Sequence, residues 1–151
     1  MLRTRTVLRI AALVPFLLVG CGDDPLVPNV GNGGLTAEID GQSFVAQFAT
    51  ASILAGQVFV NAGGSDQRAI GFQFPDGATT SYTIGTGNPI SVGVTIGTDS
   101  WLAGGTVGSG TLNVTVLTTE RVEGTFSFIV EPSPGSTGTL SVTNGQFAIA
   151  F

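Results

Sequence analysis

The chain has 151 residues, room for one domain, with 10% charged side chains, 23 glycines, a single cysteine, no histidine and no lysine. That inventory excludes a fully disordered chain, which needs high charge and few apolar residues, and it excludes Ser–His and Cys–His nucleophiles, Schiff-base lysines and Ser–Lys dyads. Net charge is −5, yet beyond residue 20 only Arg68 and Arg121 oppose ten acidic side chains, and a surface of −8 repels nucleic-acid phosphates.

Residues 1–20 have the organisation of a secretory signal. Arg3, Arg5 and Arg9 form a basic start, and Ile10 to Val19 is an uncharged apolar run of ten residues. A membrane-spanning helix needs about 20 such residues, and Pro15 further interrupts this run, so it reads as the core of a signal peptide. The run ends in Leu18-Val19-Gly20-Cys21, which resembles the bacterial lipobox, in which small residues precede a thiol that receives a diacylglyceryl group. The resemblance implies that the mature chain begins at a lipidated Cys21 and that its N-terminal partner is a membrane. At about 0.8 kcal/mol per buried methylene, one acyl chain holds weakly and two or three hold firmly. Enteric lipoproteins kept at the inner membrane carry Asp after the cysteine; Gly22 here favours the outer membrane. Asp23-Asp24 is similar to the acidic surface-export tag of some Bacteroidetes lipoproteins, so the periplasmic and surface faces both stay open.

Gly22 to Gly34 is rich in Pro, Gly, Asn and Asp and shows no apolar period. Residues 21–34 therefore read as the anchor and a flexible linker, spanning about 20 Å as a coil. The domain expected over 35–151 begins with alternation of period two: Leu35, Ala37 and Ile39 between Thr36, Glu38 and Asp40. Asp40-Gly41 predicts a type I′ hairpin turn into a strand over Ser43–Thr50. Strands follow over Gln57–Asn61, over Arg68–Phe74 with Ile70, Phe72 and Phe74 on one face, and over Thr79–Ile84. Ile90–Thr98 places Ile90, Val92, Val94 and Ile96 on one side, with Gly93 opposite as a mark of a bend or a close backbone approach. After a short Trp101–Ala103 piece, Thr111–Leu117 turns Leu112, Val114 and Val116 inward. Val122–Val130 carries Phe126 and Phe128 together, and Asn144-Gly145 predicts a hairpin between Thr139–Thr143 and Gln146–Phe151.

These nine or ten strands and the absence of a helix predict an all-β domain, a single antiparallel meander closed as a small barrel or packed as a sandwich. Closure would remove the exposed edges that invite aggregation. Ala37-x-Ile39-Asp40-Gly41-x-x-Phe44, Gly124-Thr125-Phe126-Ser127-Phe128 and Val142-Thr143-Asn144-Gly145-x-Phe147 resemble an uncharacterised family of bacterial β-rich lipoproteins. The resemblance implies this fold and an envelope location, and it brings no catalytic residues.

With His absent and the one Cys assigned to lipid, zinc, copper and haem sites lack their usual ligands, and no cofactor is expected. Carboxylate chemistry would draw on Glu38, Asp40, Asp66, Asp76, Asp99, Glu120, Glu123 and Glu131, two of which a glycan hydrolase would set about 5–10 Å apart. Most of these lie at turns, where acids stay wet and cap backbone. A calcium site could use the same acids, but no D-x-D-x-D-G loop is present. Trp101 and Tyr82 are the candidate ligand contacts, as stacking rings for a sugar or similar ligand; the alternative for Trp101 is a plug at one end of the core. The terminal Phe147-x-Ile149-x-Phe151 has the pattern of an outer-membrane barrel strand, although most strands are shorter than the 9–11 residues such barrels use. The functional expectation is a membrane-tethered, non-catalytic β domain that binds an envelope glycan or protein partner and no nucleic acid. The alternative is a purely structural envelope lipoprotein.

Overall fold

Eleven strands and no helix form over residues 33–151, the part of the chain that the computed structural model describes. Residues 1–20, read above as a signal peptide, with Leu18, Val19 and Gly20 among them, lie outside the described residues, as do Cys21 and the expected linker up to its last two positions. The strands are β1 (Gly34–Ile39), β2 (Gln42–Val45), β3 (Phe48–Leu54), β4 (Gln57–Gly63), β5 (Arg68–Pro75) and β6 (Ser81–Ile84). They continue as β7 (Ser91–Ile96), β8 (Asp99–Gly104), β9 (Ser109–Leu117), β10 (Arg121–Pro132) and β11 (Leu140–Ala150).

All pairings are antiparallel, and the sheet curls into a half-barrel with two flanks. The first flank runs β2-β1-β11-β10-β9-β6 and the second β8-β7-β5-β4-β3. β10 is long enough to serve both. Its Val122–Ile129 stretch pairs with β9, whereas Glu131 and Pro132 pair with Leu102 and Trp101 of β8. On the opposite side the chain itself turns the corner at Ala46-Gln47. There the Ala46 N–H donates to the Leu35 carbonyl at 3.0 Å and the Gln47 N–H to the Gly63 carbonyl at 2.8 Å.

Alternation supplies the interior. Val58, Val60, Ile70, Phe72, Phe74, Val92 and Val94 of the second flank are buried against Leu35, Ile39, Leu112, Val114, Phe126, Phe128, Phe147 and Ile149 of the first. Phe72 is the hub: its ring lies 5.2 Å from Phe147, 5.3 Å from Phe126 and 6.1 Å from Phe128. Of the three residues with the outer-membrane barrel pattern, Phe147 and Ile149 thus face this core, and Phe151 is exposed beyond the end of β11.

The structure corrects three details of the strand reading. Ser43–Thr50 is two strands, split at the corner that passes the chain from one flank to the other. Asn144-Gly145 makes no hairpin, and β11 runs straight through it. A type I′ turn needs both central residues at positive φ; Asp40 (48°) and Gly41 (73°) meet this, but at 144–145 only Asn144 (52°) does. Instead, Phe126 pairs with Gly145 and Phe128 with Val142, so one extra residue is absorbed in β11 as a bulge. Gly145 is required there, because a Cβ would stand 2.3 Å from the Phe126 ring. A second irregularity, between the pairs Glu123–Val116 and Gly124–Val114, inserts Thr115 into β9. It turns Val116 half out of the core and lets Leu117 pack against it.

Candidate functional site

Once alternate residues of the second flank are committed to the core, the residues between them must face outward. Register then aligns them in rows across the strands. One row is Asn61, Gly71, Gly93 and Leu102; the next is Phe59, Gln73, Ser91 and Gly104. The two glycines of the first row are direct partners. With no side chain on either, the middle of the sheet is a depression of about 410 Å³. Phe59, Leu102 and Val107 form its apolar margin, and Asn61, Gln73 and Ser91 bring amide and hydroxyl groups to it. A contiguous depression of about 320 Å³ shares Asn61, Gly71 and Gly93 and reaches Thr95 and Phe48. Together they form a trough, and no residue lining it is charged.

Gly93 is informative. Its backbone is not in the left-handed region, and a Cβ there would meet nothing nearer than Leu102 Cδ2 at 3.8 Å. Neither conformation nor a close neighbour demands glycine, although a glycine inside a strand costs about 0.5–1 kcal/mol relative to alanine. The reading of Gly93 as a bend or a close backbone approach is therefore not met; what the missing side chain supplies is the depth of the trough. Gly71 differs slightly, since a Cβ would come 2.9 Å from Asn61 Oδ1, the movable end of a side chain.

The candidate rings lie elsewhere. Trp101 is 6% exposed, and its indole N–H donates to the Gly138 carbonyl at 2.8 Å. Both its surface and its polar atom are thereby occupied within the fold. Tyr82 on β6 packs 5.7 Å from Phe74 and donates its hydroxyl to the Pro75 carbonyl at 3.2 Å. Burial, and secondarily the charge of Asp76, raises its pKa. Neither ring lines the trough, and no ring contact joins the two. Phe59, Gln73, Leu102 and Val107 escaped the sequence reading. Their only signal was glycine inside strands β5 and β7, which becomes a site only once register sets Gly71 beside Gly93.

The carboxylates are scattered. Asp40 Oδ1 accepts the Ser141 N–H at 2.8 Å, and Glu38 accepts the Thr143 hydroxyl at 3.4 Å. Asp66 pairs with Arg68, whose side-chain hydrogen bond holds the Asp66 carboxyl below its ordinary value. Glu120 and Glu123 do line one shelf, of about 290 Å³, together with Arg121, which pairs with Glu123. Arg121 lies between them in sequence and neutralises one of them, and Glu120 is exposed. This is the geometry of solvated acids, unlike the desolvated carboxyl that a general acid needs. No group of three His, Cys, Asp or Glu that could hold a metal occurs among the described residues.

A family model described as Domain of unknown function (DUF6252) matches residues 31–149, which takes in the domain from β1 to the penultimate residue of β11. No curated protein and no solved structure matches the chain.

Proposed function

The chain belongs to the DUF6252 family, and we propose that this member is a membrane-tethered, non-catalytic binding module of the bacterial envelope whose ligand site is the trough. The observation that carries the reading is Gly93: a strand glycine that nothing in its surroundings requires, at the floor of an uncharged depression. Its volume of about 410 Å³ falls in the range of small-ligand sites, about 300–1,000 Å³. Asn61 and Gln73 offer donors and acceptors, Ser91 a hydroxyl, and Phe59 and Leu102 apolar contact. A neutral sugar chain asks for that mixture, because it presents hydroxyls at its edges and C–H groups on its faces. Anionic polymers are disfavoured by the −8 charge carried beyond residue 20.

The tether rests on the lipobox-like Leu18-Val19-Gly20-Cys21 and the linker behind it; Gly22 supports an outer-membrane address. The test is calorimetric titration of the full chain with a panel of neutral envelope oligosaccharides. Saturable binding to at least one, lost when Asn61 and Gln73 are both replaced by Ala, is the expected result. No binding across the panel would overturn the reading in favour of a purely structural envelope lipoprotein. Fatty-acid labelling of cells tests the tether separately: the wild type should incorporate label and Cys21→Ser should not.

A further inference from the structure

A curled open sheet has free edges, and this one treats them unequally. β2 and β6, at the margins of the first flank, are four residues each. Both have an edge carbonyl occupied by a side chain: Ser43 O accepts from Arg68 Nη2 at 2.7 Å and Thr83 O from Asn88 Nδ2 at 2.7 Å. Short length and capping charge are the usual ways of blunting an edge.

β3 has none of these devices. It is seven residues long, pairs with β4 alone, and keeps an unshifted register throughout. The segment 41–65 around it contains no charged residue, and β3 contains no proline. Ala55 (φ 51°) and Gly56 (φ 79°) form the two-residue turn into β4. In such a hairpin the residues flanking the turn exchange hydrogen bonds. Leu54, Ser52 and Thr50 therefore direct their backbone groups toward β4, while Ala49, Ala51 and Ile53 direct theirs outward. At its two ends Leu54 (67% exposed) and Phe48 (61%), whose ring lies across Gly63 of β4, keep most of their apolar surface uncovered.

We infer that β3 is the seam of a two-fold homodimer, in which β3 of each copy pairs antiparallel with the other about Ala51. The occupant is a second copy because the strand is complementary to itself. Reversed about Ala51, Phe48-Ala-Thr-Ala-Ser-Ile-Leu54 sets Phe48 opposite the partner's Leu54 and Thr50 opposite the partner's Ser52. Each of those pairs occurs twice, with Ala49 opposite the partner's Ile53 on the inner side. Large apolar residues meet large apolar residues, and hydroxyls meet hydroxyls, the cross-strand pairs that stabilise a sheet. A slip by one residue would turn every side chain to the wrong face. Charge points the same way. Two copies of an acidic chain repel one another broadly, and this uncharged stretch is where they can meet most closely. The pairing would join the second flanks of two copies into one continuous sheet carrying two troughs. It does not depend on what the troughs bind.

The test is sedimentation of the full chain in detergent, with three preparations. Wild type should be a dimer. Thr50→Lys/Ser52→Lys changes two exposed side chains, so each copy still folds, but it opposes like charges in both central pairs and should weaken association at least about tenfold. Thr50→Asp/Ser52→Asp should also be monomeric alone, and an equimolar mixture with the lysine variant should recover the dimer. A monomeric wild type would overturn the proposal. So would a dimer that persists in the lysine variant, which would place the contact elsewhere, or one that mixing fails to restore, which would mean that β3 binds another segment or partner.

Discussion

The two outer faces of the half-barrel share one core and differ in almost everything else. The outside of the first flank carries Thr36, Glu38, Thr125, Ser127, Thr143 and the Arg121–Glu123 pair, hydroxyls and charges set around the exposed Val45 and Ile129. The outside of the second flank carries no charge on the rows through Phe59, Gln73 and Ser91 or through Asn61, Gly71 and Gly93. Both flanks contain glycines at strand interiors, Gly145 turned toward the core and Gly93 toward the outside, and those glycines have opposite causes. Gly145 lies beneath the Phe126 ring, with no space for a methyl, whereas Gly93 lies under open space. One glycine is dictated by packing and the other is not. Alternation determines the interior of a sheet; the exterior is where a domain of this kind is free to differ.

The largest expected effect would break what both faces share. Phe72→Ala removes the ring that joins the flanks and should cost about 3–5 kcal/mol, read as the loss of midpoint in urea unfolding. A midpoint shift worth less than about 1 kcal/mol would mean that the flanks are not held together there. Gly145→Ala should cost about 1–3 kcal/mol by overpacking against Phe126, while Gly93→Ala should gain about 0.5–1 kcal/mol. Equal signs for the two would erase the distinction between them. Trp101→Phe gives up the 2.8 Å bond to the Gly138 carbonyl and should cost about 1 kcal/mol, with ligand titration unchanged because the ring lies outside the trough. The smallest effect concerns acid. The Asp66 carboxyl is held below its ordinary value by Arg68, so the stabilisation is complete above the ordinary carboxylate pKa and is lost as pH falls through the depressed folded value. A stability profile of Asp66→Asn should therefore converge on wild type at low pH and separate from it only above.

The all-β class was legible because the apolar period is short and regular: Leu35-Ala37-Ile39, Ile70-Phe72-Phe74 and Phe126-Phe128 are buried as their spacing requires. The Asp40-Gly41 turn was legible for the same local reason. The Asn144-Gly145 bulge was not, since one dipeptide serves a turn or a bulge and the choice is made by Phe126 of a neighbouring strand. The trough was illegible for a related reason. Gly71 and Gly93 become neighbours only through the pairing of β5 with β7, which skips β6. Trp101 and Tyr82 stand out in the sequence by ring type, and ring type says nothing about whether a strand's register turns the ring inward, which is why the core plug stands beside the ligand contact as a reading of Trp101.

The measurement that bears most directly on the trough is Gly93→Val, scored for thermal stability and for binding in the same preparation. A Cβ has space there, and a β-branched residue suits a strand. The expected result is a melting temperature equal to or above wild type together with loss of oligosaccharide binding. Unchanged binding in a stably folded Gly93→Val chain would contradict the assignment of the trough as the ligand site.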